Sequence, residues 1–333
     1  MLITASSIKE SKEHFDLVKA HPEIFYSTAG VHPCTVAKEF YAPVPLYDTK
    51  LATLKDIIEE GATKGYIKAI GEIGLDYDRL HYTPKEQQLE AFERQLQLAA
   101  LLKHLHLPLF LHMRAACDDF IRILKPFIDR GDIVGGVIHS FTGSLEELTK
   151  LLPLGLFFSV NGCSLKTQEN LETVKHIPIN RLMIETDAPW CEIRKSHAGY
   201  HYILRYPNIY YPETAINTME HNTTETDTDP AKVLTSNKVI AYTKGKLDDN
   251  LPFYSVKKEK FNDVVALGSR YEEDTGTSLD HWKYPLVKSR NEPVNVGHVA
   301  QVVCGIHGFT TEEEIKSFID TVYDNSCQAF NVQ

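Results

Sequence analysis

The sequence predicts an α/β fold of the TIM-type (β/α)8 barrel class, and three observations support this prediction. Short apolar runs of strand length recur along the chain, and amphipathic stretches of helical period separate them. Most of these runs are continuously apolar, as in parallel strands that are buried on both faces. Histidines and carboxylates end almost every run, which is typical of a barrel whose strand ends form an active-site rim.

Seven segments are predicted to be strands, whereas a complete barrel of this class has eight. An open doubly wound sheet stays possible on the count alone, but no Gly-x-Gly-x-x-Gly fingerprint follows any strand. We therefore expect a barrel that lacks its first strand. The predicted strands are Leu2–Ala5, Phe25–Gly30, Ile67–Ile73, Pro108–His112, Gly136–His139, Leu156–Val160 and Leu182–Glu185.

Helical patterns are clearest in four places: Glu86–His106, Ser144–Leu152, Val294–Val303 and Thr311–Ser326. The second and fourth begin with the spacing of a capping box. The stretch at about 205–287 has weak periodicity and a Thr/Asp-rich segment, which indicates an insertion that is partly disordered or loosely packed. We predict one domain over 1–333 that carries this insertion.

Composition restricts the class of protein. The net charge of -10 argues against a protein that coats nucleic acid through a broad basic surface. Six scattered cysteines without a Cys-x-x-Cys pair favour a reducing compartment, and the N-terminus does not resemble a signal peptide. No apolar run approaches the roughly 20 residues that span a bilayer. We expect a cytoplasmic or nuclear protein with no membrane association and no obligate protein partner.

Four potential metal ligands fall on or just after different predicted strands: Glu72, His112, His139 and Asp187. Each residue alone has an ordinary structural explanation, such as a hydrogen-bonded interior histidine or an Asx turn at Asp187. Glu72 is harder to explain, because a carboxylate in an apolar strand costs several kcal/mol unless it is paired or metal-bound. The four together predict a mixed nitrogen and oxygen site for a divalent metal.

Seven motifs occur in the order typical of one family, and the sequence resembles the TatD family of metal-dependent deoxyribonucleases, in its eukaryotic branch. The resemblance covers about residues 1–200 and 288–330. The motifs are AGVHP (29–33), AIGEIGLDYDR (69–79), FLHMR (110–114), VIHSFTG (137–143), NGCSLK (161–166), LMIETDAPW (182–190) and RNEP (290–293).

This resemblance implies roles for individual residues. Glu72 would be shared between two metal positions, His112 and His139 would complete one of them, and Asp187 would belong to the other. His32 would lie near the scissile phosphate. One or two divalent ions are expected; Mg²⁺ is favoured by the family, and Mn²⁺ or Zn²⁺ also suits such ligands.

The implied activity is hydrolysis of DNA phosphodiester bonds, as a 3′-5′ exonuclease, an endonuclease or both. A water whose pKa is lowered by bound metal would attack phosphorus, and Asp187 would accept its proton, so the catalytic residues are expected to be Asp187, His32 and Glu72. Arg79, Arg114 and Lys166 are candidates for binding substrate phosphates, although surface ion pairs are the commoner role of such residues.

Two alternatives stay open at this point. The family's first strand carries an Asp-x-Asn or His-x-His motif, and this chain begins at what resembles the second strand. We therefore keep the hypothesis of an inactive truncated isoform. The other alternative is hydrolysis of aminoacyl-tRNA esters at the same site. A serine hydrolase and a P-loop enzyme are not indicated, because neither Gly-x-Ser-x-Gly nor a Walker loop is present.

Overall fold

The computed structural model describes residues 1–43, 46–212, 246–266, 269 and 285–332. The chain divides into two compact units. The first comprises Met1–Val160, Thr167–Glu185 and Lys316–Gln333, and the second comprises Asn161–Lys166 and Thr186–Ile315. The single domain with an insertion at about 205–287 stays a prediction, and the Thr/Asp-rich stretch at 222–230 lies outside the described residues. None of the helices in the described ranges combines the length and apolar character needed to cross a bilayer.

A seven-stranded parallel sheet forms the centre of the first unit, and its strands are neighbours in chain order. This confirms the seven predicted strands, and it lacks the reversal of strand order that a doubly wound sheet requires. The strands are β1 (Leu2–Ile3), β2 (Tyr26–Ala29), β3 (Ile67–Asp76), β4 (Leu109–Arg114), β5 (Gly136–His139), β6 (Phe157–Val160) and β7 (Leu182–Ile184).

Helices follow most of these strands, as expected for right-handed crossovers between parallel strands. The predicted helices are confirmed with shifted ends, and both predicted capping boxes form, at Ser144 with Glu147 and at Thr311 with Glu314. The α-helices are α1 (Ile8–Ala20), α2 (Tyr47–Thr63), α3 (Lys85–Leu101), α4 (Cys117–Asp129), α5 (Leu145–Leu151), α6 (Gln168–Lys175), α7 (Val296–His307) and α8 (Glu312–Phe330).

One face of the sheet carries a layer of apolar side chains, with one contribution from each of β3 to β7. The aromatic ring of Phe330, the last residue of α8, packs into this layer, and Asn325 of the same helix donates hydrogen bonds to the carbonyls of Ile179 and Leu182. The layer consists of Ala69, Phe110, Val137, Phe157 and Met183.

The same face becomes polar two residues further along the chain in the four strands from β4 to β7. Successive side chains of a strand alternate between faces, so positions two apart share a face. His112 therefore follows Phe110, His139 follows Val137, Ser159 follows Phe157, and Glu185 follows Met183. This alternation brings polar side chains together at the carboxyl ends of the strands, above the apolar layer.

The second unit contains a three-stranded sheet of short strands: β8 (Lys246–Leu247), β9 (Tyr254–Val256) and β10 (Leu286–Val287). Strand β9 lies between the other two, antiparallel to β8 and parallel to β10. Helix α7 packs in the same unit, where Gln301 accepts a hydrogen bond from the backbone of Leu204.

Candidate metal centre

Glu72 lies in a β-bulge of β3, within the strand that the sequence predicted to carry it. Gly71 pairs with Phe110 and Ile73 pairs with Leu111, so Glu72 is the extra residue between two consecutive pairs. A bulge breaks the strict alternation of side chains, and it is a common way to redirect one side chain next to an active site. Strand β3 then continues past the predicted end at Ile73, as far as Asp76.

The backbones of β3 and β4 approach each other closely at Gly74, where only a residue without a side chain fits. Gly74 pairs with His112 and has a φ of +147°, a conformation that favours glycine. A Cβ atom at Gly74 would lie 1.9 Å from the carbonyl oxygen of His112. The motif Gly-Glu-Ile-Gly thus places a carboxylate beside the histidine of the neighbouring strand.

Three histidines surround one oxygen of Glu72. Glu72 Oε1 lies 2.8 Å from His112 Nδ1, 2.6 Å from His139 Nε2 and 3.3 Å from His32 Nε2. His112 Nδ1 and His139 Nε2 are 3.4 Å apart. All four side chains are largely shielded from solvent. The structure therefore brings together four of the residues that the sequence predicted for the site.

Both strand histidines direct their second ring nitrogen at another carboxylate. His112 Nε2 lies 3.2 Å from Asp76 Oδ2, and His139 Nδ1 lies 3.5 Å from Glu185 Oε1. Glu185 is held in turn by the hydroxyl of Ser159, which donates to its Oε2 over 2.7 Å. Histidines that bind metals commonly give their other N–H to a carboxylate, which fixes the tautomer and the ring orientation.

His32 has a different arrangement of its ring nitrogens. Its Nδ1 accepts a hydrogen bond of 3.0 Å from the backbone N–H of Cys34. Because Nδ1 then acts as an acceptor, the ring proton resides on Nε2, the atom that faces Glu72. In this tautomer His32 is a hydrogen-bond donor toward the centre of the site.

Charges within the cluster shift the pKa of each group. Burial by itself would raise the pKa of Glu72, but His139 and His32 hold it well below its usual range. Burial would lower the pKa of His139, yet the carboxylates of Glu72 and Glu185 outweigh burial and raise it well above its usual range. Hydrogen bonds that His112 donates to the carboxylates of Asp76 and Glu72 likewise overcome burial and raise the pKa of His112. The cluster therefore favours charged histidines beside a charged Glu72 carboxylate.

The donor set fits a divalent metal ion. Ligand atoms of Glu72, His112 and His139 all lie within 3.4 Å of one another. Asp76 Oδ1 is buried and has no hydrogen-bond partner among the described residues. Imidazole nitrogens and carboxylate oxygens are common ligands of first-row divalent ions, and a cation would relieve the crowding of ring nitrogens on one carboxylate.

Asp187 belongs to the second unit, three residues after the end of β7. It has a φ of +53°, and its carbonyl accepts a hydrogen bond from the backbone of Trp190. Asn291 from the late motif donates to the carbonyl of Thr186 over 2.8 Å, and its own N–H donates to Pro189. These bonds hold the turn that carries Asp187.

The three basic candidates for substrate binding have different surroundings. Arg79 Nε lies 3.8 Å from Asp76 Oδ2, and Arg114 Nε lies 3.5 Å from Asp78 Oδ2, so both guanidinium groups already face a carboxylate. Lys166 is exposed in the second unit. Their contact with substrate stays a prediction.

Sequence reasoning assigned no role to Asp76 and Glu185, the two carboxylates that face the second ring nitrogens of His112 and His139. The alternation of side chains along a strand could have indicated Glu185, because it lies two positions after Met183 and therefore on the same face. Asp76 gave no comparable signal, since the bulge at Glu72 changes the parity of the residues that follow it.

Comparisons with known proteins agree with this architecture. Residues 1–244 match the family described as TatD related DNase. The "Deoxyribonuclease Tat-D" of Schizosaccharomyces pombe is 34% identical over 326 residues, which cover 98% of this chain and 81% of that protein. The "3'-5' ssDNA/RNA exonuclease TatD" of a Rahnella species is 41% identical over 193 residues, or 57% of this chain and 67% of that protein.

A solved structure shows the same fold. It is an "uncharacterized amidohydrolase" from Saccharomyces cerevisiae with a TM-score of 0.72 and 34% identity, and the match covers 99% of this chain and 88% of that chain. The parallel sheet and its cluster of histidines and carboxylates thus define a hydrolase of the barrel class. The chain belongs to the TatD-related DNase family.

Proposed function

We propose that this protein is a metal-dependent deoxyribonuclease and that Glu72, His112 and His139 hold a divalent ion. The observation that carries the proposal is the position of Glu72 Oε1 between His112 Nδ1 and His139 Nε2, while the other nitrogen of each ring faces a carboxylate. This arrangement leaves one ring nitrogen of each histidine directed at the same point, as metal binding requires. Asp187 is proposed as a ligand of a second ion.

Mg²⁺ is the proposed ion, and Mn²⁺ or Zn²⁺ would suit the same donors. When bound, the ion supplies Lewis-acid polarisation of the phosphate and lowers the pKa of a water molecule. Asp76 and Glu185 keep the His112 and His139 rings oriented. Asp187 accepts the proton of the attacking water and becomes a neutral carboxylic acid. It regains its negative charge when the proton passes to solvent.

His32 is proposed as a donor to the substrate and not as a metal ligand. Its Nδ1 accepts the N–H of Cys34, so the proton on Nε2 is available to a phosphate oxygen or to the departing oxygen. A histidine that bound metal through Nε2 would need the opposite tautomer, with its proton on Nδ1. The hydrogen bond from Cys34 thus supports the role that the family resemblance implied.

DNA is the proposed substrate, and an exposed aromatic ring of the second unit supports the binding of a nucleic-acid strand. The side chain of Trp190 is 71% exposed, although most large aromatic rings in the described residues are covered. Exposed aromatic rings bind single-stranded bases by stacking. Lys166 and Arg79 are proposed to pair with phosphates. Exonuclease or endonuclease action and a cytoplasmic or nuclear location stay predictions.

Cleavage of labelled single-stranded DNA tests the proposal. Wild-type protein should cleave the strand with Mg²⁺ and not with EDTA. His112→Ala and Asp187→Asn should each reduce the rate by on the order of a thousandfold, because each removes a proposed metal ligand. His176→Ala is the matched control, since this exposed histidine directly follows α6 and its ring contacts Glu172 of that helix.

The outcomes separate the remaining functions. Cleavage at the wild-type rate by both ligand variants would contradict the assignment of the site. A parallel assay on aminoacyl-tRNA tests the ester alternative, which predicts release of the amino acid without cleavage of DNA. No metal-dependent reaction on either substrate would support the inactive isoform.

A further inference from the structure

Two thiols of the second unit lie almost within bonding distance. Cys163 follows β6 and Cys191 follows the turn that begins at Asp187, and their Sγ atoms are 3.2 Å apart. A disulfide requires a sulfur–sulfur distance of about 2.05 Å, so the two atoms need to approach by only about 1.2 Å. Both residues are partly exposed, so a small oxidant can reach them.

The backbone fixes this proximity. Asn161 Oδ1 accepts the N–H of Cys163 over 2.9 Å, which shapes the first loop. A Cβ atom added to Gly162 would lie 2.0 Å from the carbonyl oxygen of Cys191, so the two loops touch at their main chains. Cys191 adopts a φ of +57° at the end of the second loop. The contact is therefore a property of both loops and not of two mobile side chains.

Asp187 is the third member of this group. The Cys191 thiol donates to Asp187 Oδ2 over 3.2 Å. In the reduced protein the thiol therefore supports one oxygen of the Asp187 carboxylate.

We propose that Cys163 and Cys191 form a reversible dithiol–disulfide pair and that its oxidation by a peroxide lowers nuclease activity through Asp187. The regulatory part of this inference rests on the proposed function of Asp187 as a metal ligand. The formation of the disulfide itself does not depend on that function.

The chemistry balances with hydrogen peroxide as the oxidant. One thiol attacks the peroxide, the O–O bond breaks, and a sulfenic acid and one water form. The second thiol then attacks the sulfenic sulfur, the S–O bond breaks, and the disulfide forms with release of a second water. Two thiols are thus oxidised by two electrons in total, and one peroxide is reduced to two waters.

Oxidation changes the surroundings of Asp187 in two ways. The S–H group that donates to Oδ2 is lost, and the Cys191 sulfur moves toward Cys163. Loss of a group that orients a metal-binding side chain commonly lowers metal affinity or activity by 10- to 100-fold, so we expect a decrease of about tenfold or more. Reduction of the disulfide should restore the original rate.

The test uses the full chain and measures the disulfide and the activity separately. Reduced protein is treated with hydrogen peroxide and digested without reduction, and mass spectrometry should find the peptides of Cys163 and Cys191 linked. The rate of single-stranded DNA cleavage is measured before treatment, after treatment and after addition of dithiothreitol. Each rate is divided by the rate of the same variant in its reduced state.

Variants distinguish this pair from other cysteines. Cys163→Ser should lose both the linked peptides and the reversible decrease in rate. Cys34→Ser should keep both; this control is needed because Cys34 Sγ lies 3.9 Å from Asp76 Oδ2, near the metal centre. Absence of the linked peptides from wild-type protein would overturn the proposal.

An equal, reversible decrease in Cys163→Ser would overturn the regulatory part. Linked peptides in a protein without nuclease activity would instead contradict the proposed function and leave the disulfide intact. The failure of one proposal is therefore distinguishable from the failure of the other.

Discussion

At the scale of single residues, His112 and His139 each use both nitrogens of the ring. One nitrogen of each faces Glu72, and the other faces Asp76 or Glu185. A buried carboxylate without such neighbours would be strongly destabilising, whereas here opposite charges compensate each other. The cluster is thus an ion-pair network, and a cation bound at the proposed position would take the place of protons on its histidines.

This exchange of protons for metal gives a pH dependence with a definite sign. The carboxylates raise the pKa of His139 well above its usual range, so metal binding must displace a proton from Nε2. Metal affinity should therefore increase with pH, by about tenfold per pH unit for each proton displaced. Titration of Mn²⁺ against a metal indicator at pH 6.5 and 7.5 measures this, and equal affinities would contradict it.

The same shifts act on the stability of the metal-free chain. The raised pKa of His139 stabilises the fold below the ordinary histidine pKa of about 6.5, and this contribution is lost as the pH rises through the raised value. The lowered pKa of Glu72 acts in the other direction, since its contribution is present above about 4.5 and is lost as the pH falls. The cluster thus stabilises the metal-free fold most between these two values.

At the scale of secondary-structure elements, the pairing of β3 with β4 determines the geometry of the site. The bulge at Glu72 and the close approach at Gly74 occur within three residues, and both concern the backbone of β4 around His112. Bulges and glycines in the interior of a strand often mark a place where one side chain is redirected or two backbones approach closely. A short stretch of β3 therefore directs the side chain of Glu72 toward His112.

Gly74→Ala tests the importance of this close approach. The added Cβ would collide with the carbonyl oxygen of His112, so we expect a loss of more than about 2 kcal/mol in the free energy of unfolding, measured with urea. Gly65→Ala is the control, because Gly65 also has a positive φ, +73°, but a Cβ there meets no atom within 4 Å. The control should cost about 1 kcal/mol. Equal losses of unfolding free energy in the two variants would contradict this prediction, because they would show that the backbone moves to avoid the collision.

At the scale of the whole molecule, the net charge of -10 separates this protein from those that bind nucleic acid through a broad basic surface. An acidic nuclease depends on its bound cations for local positive charge, because they compensate both the carboxylates of the site and the phosphates of the substrate. Binding of metal should therefore increase the stability of the folded chain as well as the catalytic rate.

Thermal unfolding measures that effect without any substrate. A ligand that binds only the folded state at 100 times its Kd stabilises that state by about 2.7 kcal/mol. We expect Mn²⁺ to raise the apparent Tm of the wild type by about 5 °C or more. His112→Ala should lose this increase and His176→Ala should keep it. An unchanged increase in His112→Ala would place the bound ion elsewhere.

The sequence by itself determined the strands and the family, and it predicted that Glu72, His112 and His139 belong to one site. These features are readable because apolar runs, strand alternation and local motifs depend only on near neighbours in the chain. The tertiary structure decided which atoms meet: the bulge that redirects Glu72, the carboxylates of Asp76 and Glu185 behind the histidines, and the contact of Cys163 with Cys191. Such contacts depend on the register of neighbouring strands and on loops that are distant in sequence, and a local pattern does not encode them.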